Sequence, residues 1–89
     1  MATSSYVGID VSKDRLDVAV LGETQGKQVG NTQAGNAELV VWMQELQPKL
    51  IVVEATGGYQ CGVVDALFHA GLCVAVVNPA RVRQFARAC

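Results

Sequence analysis

Tyr6-Val7-Gly8-Ile9-Asp10-Val11 and Arg15-Leu16-Asp17-Val18-Ala19-Val20-Leu21, parted only by Ser12-Lys13-Asp14, alternate residues in the two-residue period of a strand. Val7, Ile9 and Val11 fall on one face of the first segment, and Leu16, Val18 and Val20 on one face of the second. So short a connection returns the chain antiparallel. Gly22 to Gly26 reads as a second turn, and Lys27 to Thr32 as a polar strand whose single apolar residue, Val29, suits a sheet edge. The three segments form a meander.

Beyond it the period changes. Asn36 is placed to cap a helix running to Leu46, with Leu39, Trp42, Met43 and Leu46 as its apolar stripe and Gln47-Pro48-Lys49 as its end. Leu50 to Val53 is a continuous apolar run bounded by Glu54, the pattern of a strand buried on both faces. Thr56-Gly57-Gly58 opens a second helix, with Tyr59, Val63, Val64, Leu67 and Phe68 on its buried side and Gly71 at a left-handed stop. Leu72 to Val77 is another buried strand, and Asn78-Pro79 starts a third helix. In the order β-β-β-α-β-α-β-α the unit at residues 50–77 is a β-α-β crossover, so its two strands are parallel. The expected fold is α/β, a mixed five-stranded sheet with its first three strands antiparallel, flanked by helices. No internal repeat appears.

The 89 residues amount to one domain, and 51% apolar with 17% charged residues is globular rather than disordered composition. The longest apolar run, Leu72 to Val77, is far below the roughly 20 residues of a membrane span, and Met1 to Ser5 has no export pattern. Cys61, Cys73 and Cys89 form no C-x-x-C pair and read as free thiols of a reducing cytoplasm. A net charge of −1 argues against a domain that simply coats nucleic acid. Residues 78–89, however, hold Arg81, Arg83 and Arg87 and no acid, which leaves −4 on the remainder. The chain stops at Cys89 inside a helical pattern without a stop signal, and so reads as part of a longer protein.

Two acids stand out by their surroundings. Asp10 and Glu54 each follow an apolar strand, where a carboxylate is costly to desolvate unless it is paired, hydrogen-bonded or bound to a metal. If the strands are neighbours, both reach one rim of the sheet, and converging carboxylate oxygens suit Mg²⁺. The alternative is two strand-end acids accepting backbone N–H bonds, Glu54 from Gly57 or Gly58. Thr56 can orient Glu54. Thr56-Gly57-Gly58 is either a phosphate-facing helix start or a turn that needs glycine angles. Arg83 and Arg87, four apart on a helix and flanked by Arg81, are candidate phosphate contacts, as is Lys13. Asp14 and Asp17 read as solvating residues, His69 as structural, and Trp42 and Tyr59 as core.

The segments Gly8-Ile9-Asp10-Val11-Ser12-Lys13 and Leu16-Asp17-Val18, then Val53-Glu54-Ala55-Thr56-Gly57-Gly58-Tyr59, then Val76-Val77-Asn78-Pro79 with Val82-Arg83 and Phe85-Ala86-Arg87-Ala88 run in one order over nearly the whole chain. Together they resemble the DEDD-type transposases of insertion-sequence family 110, a group that includes the Piv-like DNA invertases. The resemblance implies a RuvC-like, ribonuclease H-type catalytic domain, of which residues 1–89 are the N-terminal part. It places the family's first acid at Asp10 and its second at Glu54, with two further aspartates beyond residue 89. Such a quartet holds Mg²⁺ or Mn²⁺ and serves in-line attack on a DNA phosphodiester. The resemblance further implies a catalytic serine from a separate C-terminal domain, a structured guide RNA, DNA ends and target as partners, homo-oligomers, a cytoplasmic location and no cutting by these 89 residues alone. Two other classes share parts of the pattern. One is the phosphate-binding half of an actin-like ATPase or sugar kinase, which needs a glycine-rich turn that residues 10–14 lack. The other is a non-catalytic nuclease-like module that binds nucleic acid.

Overall fold

A computed structural model describes residues 5–23, 26–55 and 57–77. The chain forms β1 (Tyr6–Val11), β2 (Arg15–Val20), β3 (Lys27–Gly30), α1 (Gln33–Leu46), β4 (Leu50–Ala55), α2 (Cys61–His69) and β5 (Val74–Val77). The sheet order is β3-β2-β1-β4-β5. β1, β2 and β3 pair antiparallel, while β4 runs parallel to β1 and β5 parallel to β4. The expected mixed five-stranded α/β sheet is the one found. The third helix expected from Asn78-Pro79 lies outside the described residues.

Local chemistry explains the junctions. The Ser12 N–H donates to the Arg15 carbonyl at 3.0 Å, closing a two-residue corner of Lys13 and Asp14. α1 begins four residues earlier than the Asn36 cap expected from sequence. Thr32 is the cap: its backbone is extended and its Oγ1 accepts the Gly35 N–H at 3.0 Å. Thr32 therefore leaves the third strand, which ends at Gly30, and Asn36 falls within the first turn, its N–H donating to the Thr32 carbonyl. At the other end Gln47 turns left-handed (φ 51°) and Pro48 cannot continue the helix. Gly71, at φ 82°, follows α2 as the pattern indicated.

The alternation of β1 and β2 sorts their side chains by face. Val7, Ile9, Val11, Leu16, Val18 and Val20 are all buried on the face that α1 and α2 cover. Leu39 and Met43 from α1 and Val63 and Leu67 from α2 complete this core with no exposed surface. Truncating any of the larger ones to alanine costs about 2–5 kcal/mol.

Several expectations need correction. Among the described residues both helices lie on the same face, so the sheet is covered on one side only. β4 alternates accordingly: Ile51 and Val53 are buried, but Leu50 and Val52 are half-buried, so β4 is not buried on both faces. Tyr59 precedes α2 and is 46% exposed, and Phe68 points off the Val63–Leu67 stripe at 69% exposed; neither is core. Trp42, by contrast, packs half-buried against the core as expected, with the Lys27 ammonium 5.4 Å from its ring centroid.

The tightest packing point is Gly35. A Cβ there would lie 1.9 Å from the Gly30 carbonyl oxygen, backbone against backbone. Gly35→Ala should therefore destabilise the fold by about 2–3 kcal/mol through overpacking, whereas Val41→Ala at an exposed site of the same helix should change stability by less than about 0.5 kcal/mol. Urea denaturation of the two variants measures both.

Candidate metal centre on the open sheet face

Strand register builds the site. Asp10 is the Cα partner of Glu54 across the parallel β1–β4 pair and of Asp17 across the antiparallel β1–β2 pair. Its neighbours Ile9 and Val11 point into the core, so Asp10 points to the open face. Glu54 does the same beside buried Val53. Three carboxylates thus stand in one row over β2, β1 and β4, on strands about 4.8 Å apart. The sequence reading singled out Asp10 and Glu54 and treated Asp17 as solvating. The structure places Asp17 in the same row, with the Arg15 Nε 3.7 Å from its Oδ2. Counting back from the Ser12–Arg15 corner was the signal for it, since positions 10 and 17 are equidistant from that turn.

Small side chains form the floor of the face. Gly8, Ala19 and Val52 with Asp10, Asp17 and Glu54 line a shallow trough of about 620 Å³. Nothing lies within 4 Å of a Cβ built on Gly8, so the space above it is open. Asp10 and Glu54 are exposed to that trough, and among the described residues neither carboxylate has an ion-pair partner.

The other reading of Glu54, as an acceptor for the glycine turn, finds no support among the described residues. Gly57 and Gly58 have φ of 80° and 81°, and their N–H groups make no hydrogen bond to its side chain. These angles account for both glycines as turn residues. α2 begins only at Cys61, so the pair does not open the helix directly.

Asn31, which the sequence reading passed over, ties the two strand ends together. Its Nδ2 donates to the Ser12 carbonyl at 2.8 Å and to the Tyr59 carbonyl at 3.1 Å. Those carbonyls belong to the turns that follow Asp10 and Glu54. His69, read as structural, is exposed, and its Nδ1–H donates to the Asp65 carbonyl at 2.8 Å within α2. Lys13 is exposed at the β1–β2 corner. Thr56, Arg81, Arg83 and Arg87 lie outside the described residues.

Asp10 and Glu54 supply hard oxygen donors side by side, the ligand type of Mg²⁺ and Mn²⁺. They do not complete a shell: among the described residues no group of three or more His, Cys, Asp or Glu side chains is placed to hold a metal ion. The donor set fits part of such a centre.

A mixed sheet in this order, with its first three strands antiparallel, is a ribonuclease H-like fold. Solved structures agree on the fold. Thermus thermophilus RuvC in complex with a Holliday junction substrate superposes with a TM-score of 0.67 at 19% identity, covering 92% of this chain and 69% of that one. Thermus thermophilus RuvC alone gives 0.63 at 22% identity, covering 90% and 65%. No curated protein matches the sequence. Residues 7–89 match the family model of the DEDD transposases of insertion-sequence family 110, described as a transposase, and the chain belongs to that family. It is a DNA-handling domain of the transposase class.

Asn31→Ala should remove both ties and cost about 1–2 kcal/mol. In amide chemical-shift spectra the change should concentrate at residues 12–14 and 57–60 and leave α1 beyond its first turn unmoved.

Proposed function

We propose that this chain is the N-terminal catalytic part of a transposase that cuts and joins DNA strands, with Asp10 and Glu54 supplying half of a four-carboxylate site. The observation that carries this reading is their in-register pairing on a sheet face left open by α1 and α2. Divalent ions, when bound, would activate the attacking oxygen and stabilise the leaving 3′ oxygen. The side chains of this chain do the holding. Asp10 and Glu54 face one volume from rigid neighbouring strands, which fixes their relative position better than a loop would. Arg15 Nε lies 3.7 Å from Asp17 Oδ2, whereas among the described residues Asp10 and Glu54 have no ion-pair partner. The floor of Gly8, Ala19 and Val52 leaves room for a sugar-phosphate backbone above the acids.

The two missing carboxylates come from chain beyond residue 89 in this proposal, and the 89 residues alone then bind Mg²⁺ or Mn²⁺ weakly and cut nothing. Arg81, Arg83, Arg87 and Lys13 contact phosphates, and Thr56 orients Glu54. The relative solved with a Holliday junction supports DNA as the substrate class; a guide RNA, homo-oligomers and a cytoplasmic site of action follow from the family reading alone. The ATPase or kinase alternative loses ground on one observation. The corner after β1 is closed by the Ser12–Arg15 hydrogen bond with Lys13 and Asp14 at its tip, and it offers no glycine cradle for ATP phosphates.

Asp10→Asn and Glu54→Gln, each made in the full-length transposase, test the proposal. Loss of outer-shell support already costs metal enzymes about 10–100-fold, so removing a ligand should lower strand cleavage at least about 100-fold. Asp10→Asn should also raise stability by about a few tenths of a kcal/mol, because it relieves like charge from both neighbouring strands, and added salt should shrink that gain. Near-normal cleavage by either variant contradicts the proposal.

A further inference from the structure

The two edges of the sheet are built differently. β3 carries Lys27 and Gln28, and Lys27 is paired with Glu38 at 3.1 Å. Charge on a short edge strand is the usual protection against edge-to-edge pairing. β5, Val74-Ala75-Val76-Val77, has no such device. It holds no charge, no proline and no bulge, and residues 66–77 contain no Asp, Glu, Lys or Arg. Among the described residues no strand pairs with its outer side.

Backbone parity shows which groups face outward. The Ile51 N–H donates to the Cys73 carbonyl at 2.9 Å, and Ile51 is the partner of Val74. Inward-pointing groups recur at every second residue of a strand, so Ala75 and the N–H of Val77 serve β4. The N–H and C=O groups of Val74 and Val76 point away from the sheet. Apolar surface flanks this edge. Val76 lies on the helix-covered face yet is 39% exposed. Gly62 and Ala66 turn toward α1, which puts Val64 and Phe68, one turn apart, on the flank of α2 away from α1.

We propose that β5 is a self-association edge at which two copies of this chain pair antiparallel about a two-fold axis through Ala75. In that register Val74 faces Val76 of the partner subunit, and Val76 faces the partner subunit's Val74. These are the residues whose backbone groups point outward, and each pair exchanges both of its N–H···O bonds. A second copy is the fitting occupant because the edge is self-complementary and carries no charge to repel itself. Directly opposed residues share a face, so both helix layers fall on one side of a continuous ten-stranded sheet. Each half-exposed Val76 then packs on a valine across the join, and both rows of acids open on the other side.

Amide hydrogen exchange on the 89-residue chain at low and high protein concentration, with mass measured by light scattering, tests this. Ala75 and Val77 amides should be protected at both concentrations, while protection of Val74 and Val76 should rise with the dimer fraction. Val76→Lys should stay folded and weaken association about tenfold or more, since it sets a charged ammonium against a valine at both ends of the join. If that variant unfolds, the wild-type exchange pattern decides alone. A chain that stays monomeric at the highest concentration overturns the proposal. So does a dimer that leaves Val74 and Val76 amides unprotected, or protection of those amides that does not depend on concentration.

Discussion

The structure depends on β4 entering the sheet parallel to β1 in the register that sets Glu54 beside Asp10. Parallel strands cannot be joined by a tight turn, so this pairing needs the crossover that α1 supplies. It also fixes which residues share a face. With Ile9 paired to Val53, both buried, the next position of each strand must point to the other side of the sheet. A slip of one residue would bury one acid and expose a core residue, which the apolar face makes prohibitively costly.

Coverage on one side then turns register into a site. α1 and α2 bury one face and leave Gly8, Asp10, Asp17, Ala19, Val52 and Glu54 on the opposite one. Asp10 and Glu54 are exposed there rather than enclosed in the core. Asn31 joins the corner after Asp10 to the turn after Glu54, so the strand ends that carry the acids are held to one another as well as to the sheet.

Much of this was legible in the sequence because alternation in β1 and β2 and the apolar run of β4 are strong local signals. Element order, the antiparallel meander and the parallel crossover followed from them, and so did the two acids at one rim. Three things were not legible. Asp17 looked like a solvating residue because its place depends on pairing across the turn, not on its immediate neighbours. Tyr59 and Phe68 fitted a helical stripe, but α2 starts only at Cys61, which leaves the first outside the helix and the second off the packed face. The cap at Thr32 lost to Asn36 because the polar run Gly30 to Asn36 offers more than one capping residue, and only the end of β3 decides among them.

Whether Asp10 and Glu54 act on one ion is most directly seen by titrating Mn²⁺ into the isotopically labelled chain and following paramagnetic line broadening. The account requires broadening centred on Asp10 and Glu54 together, with one common and weak affinity, and its loss at both positions in Asp10→Asn. Separate affinities at the two residues, or broadening centred elsewhere on the molecule, would contradict it.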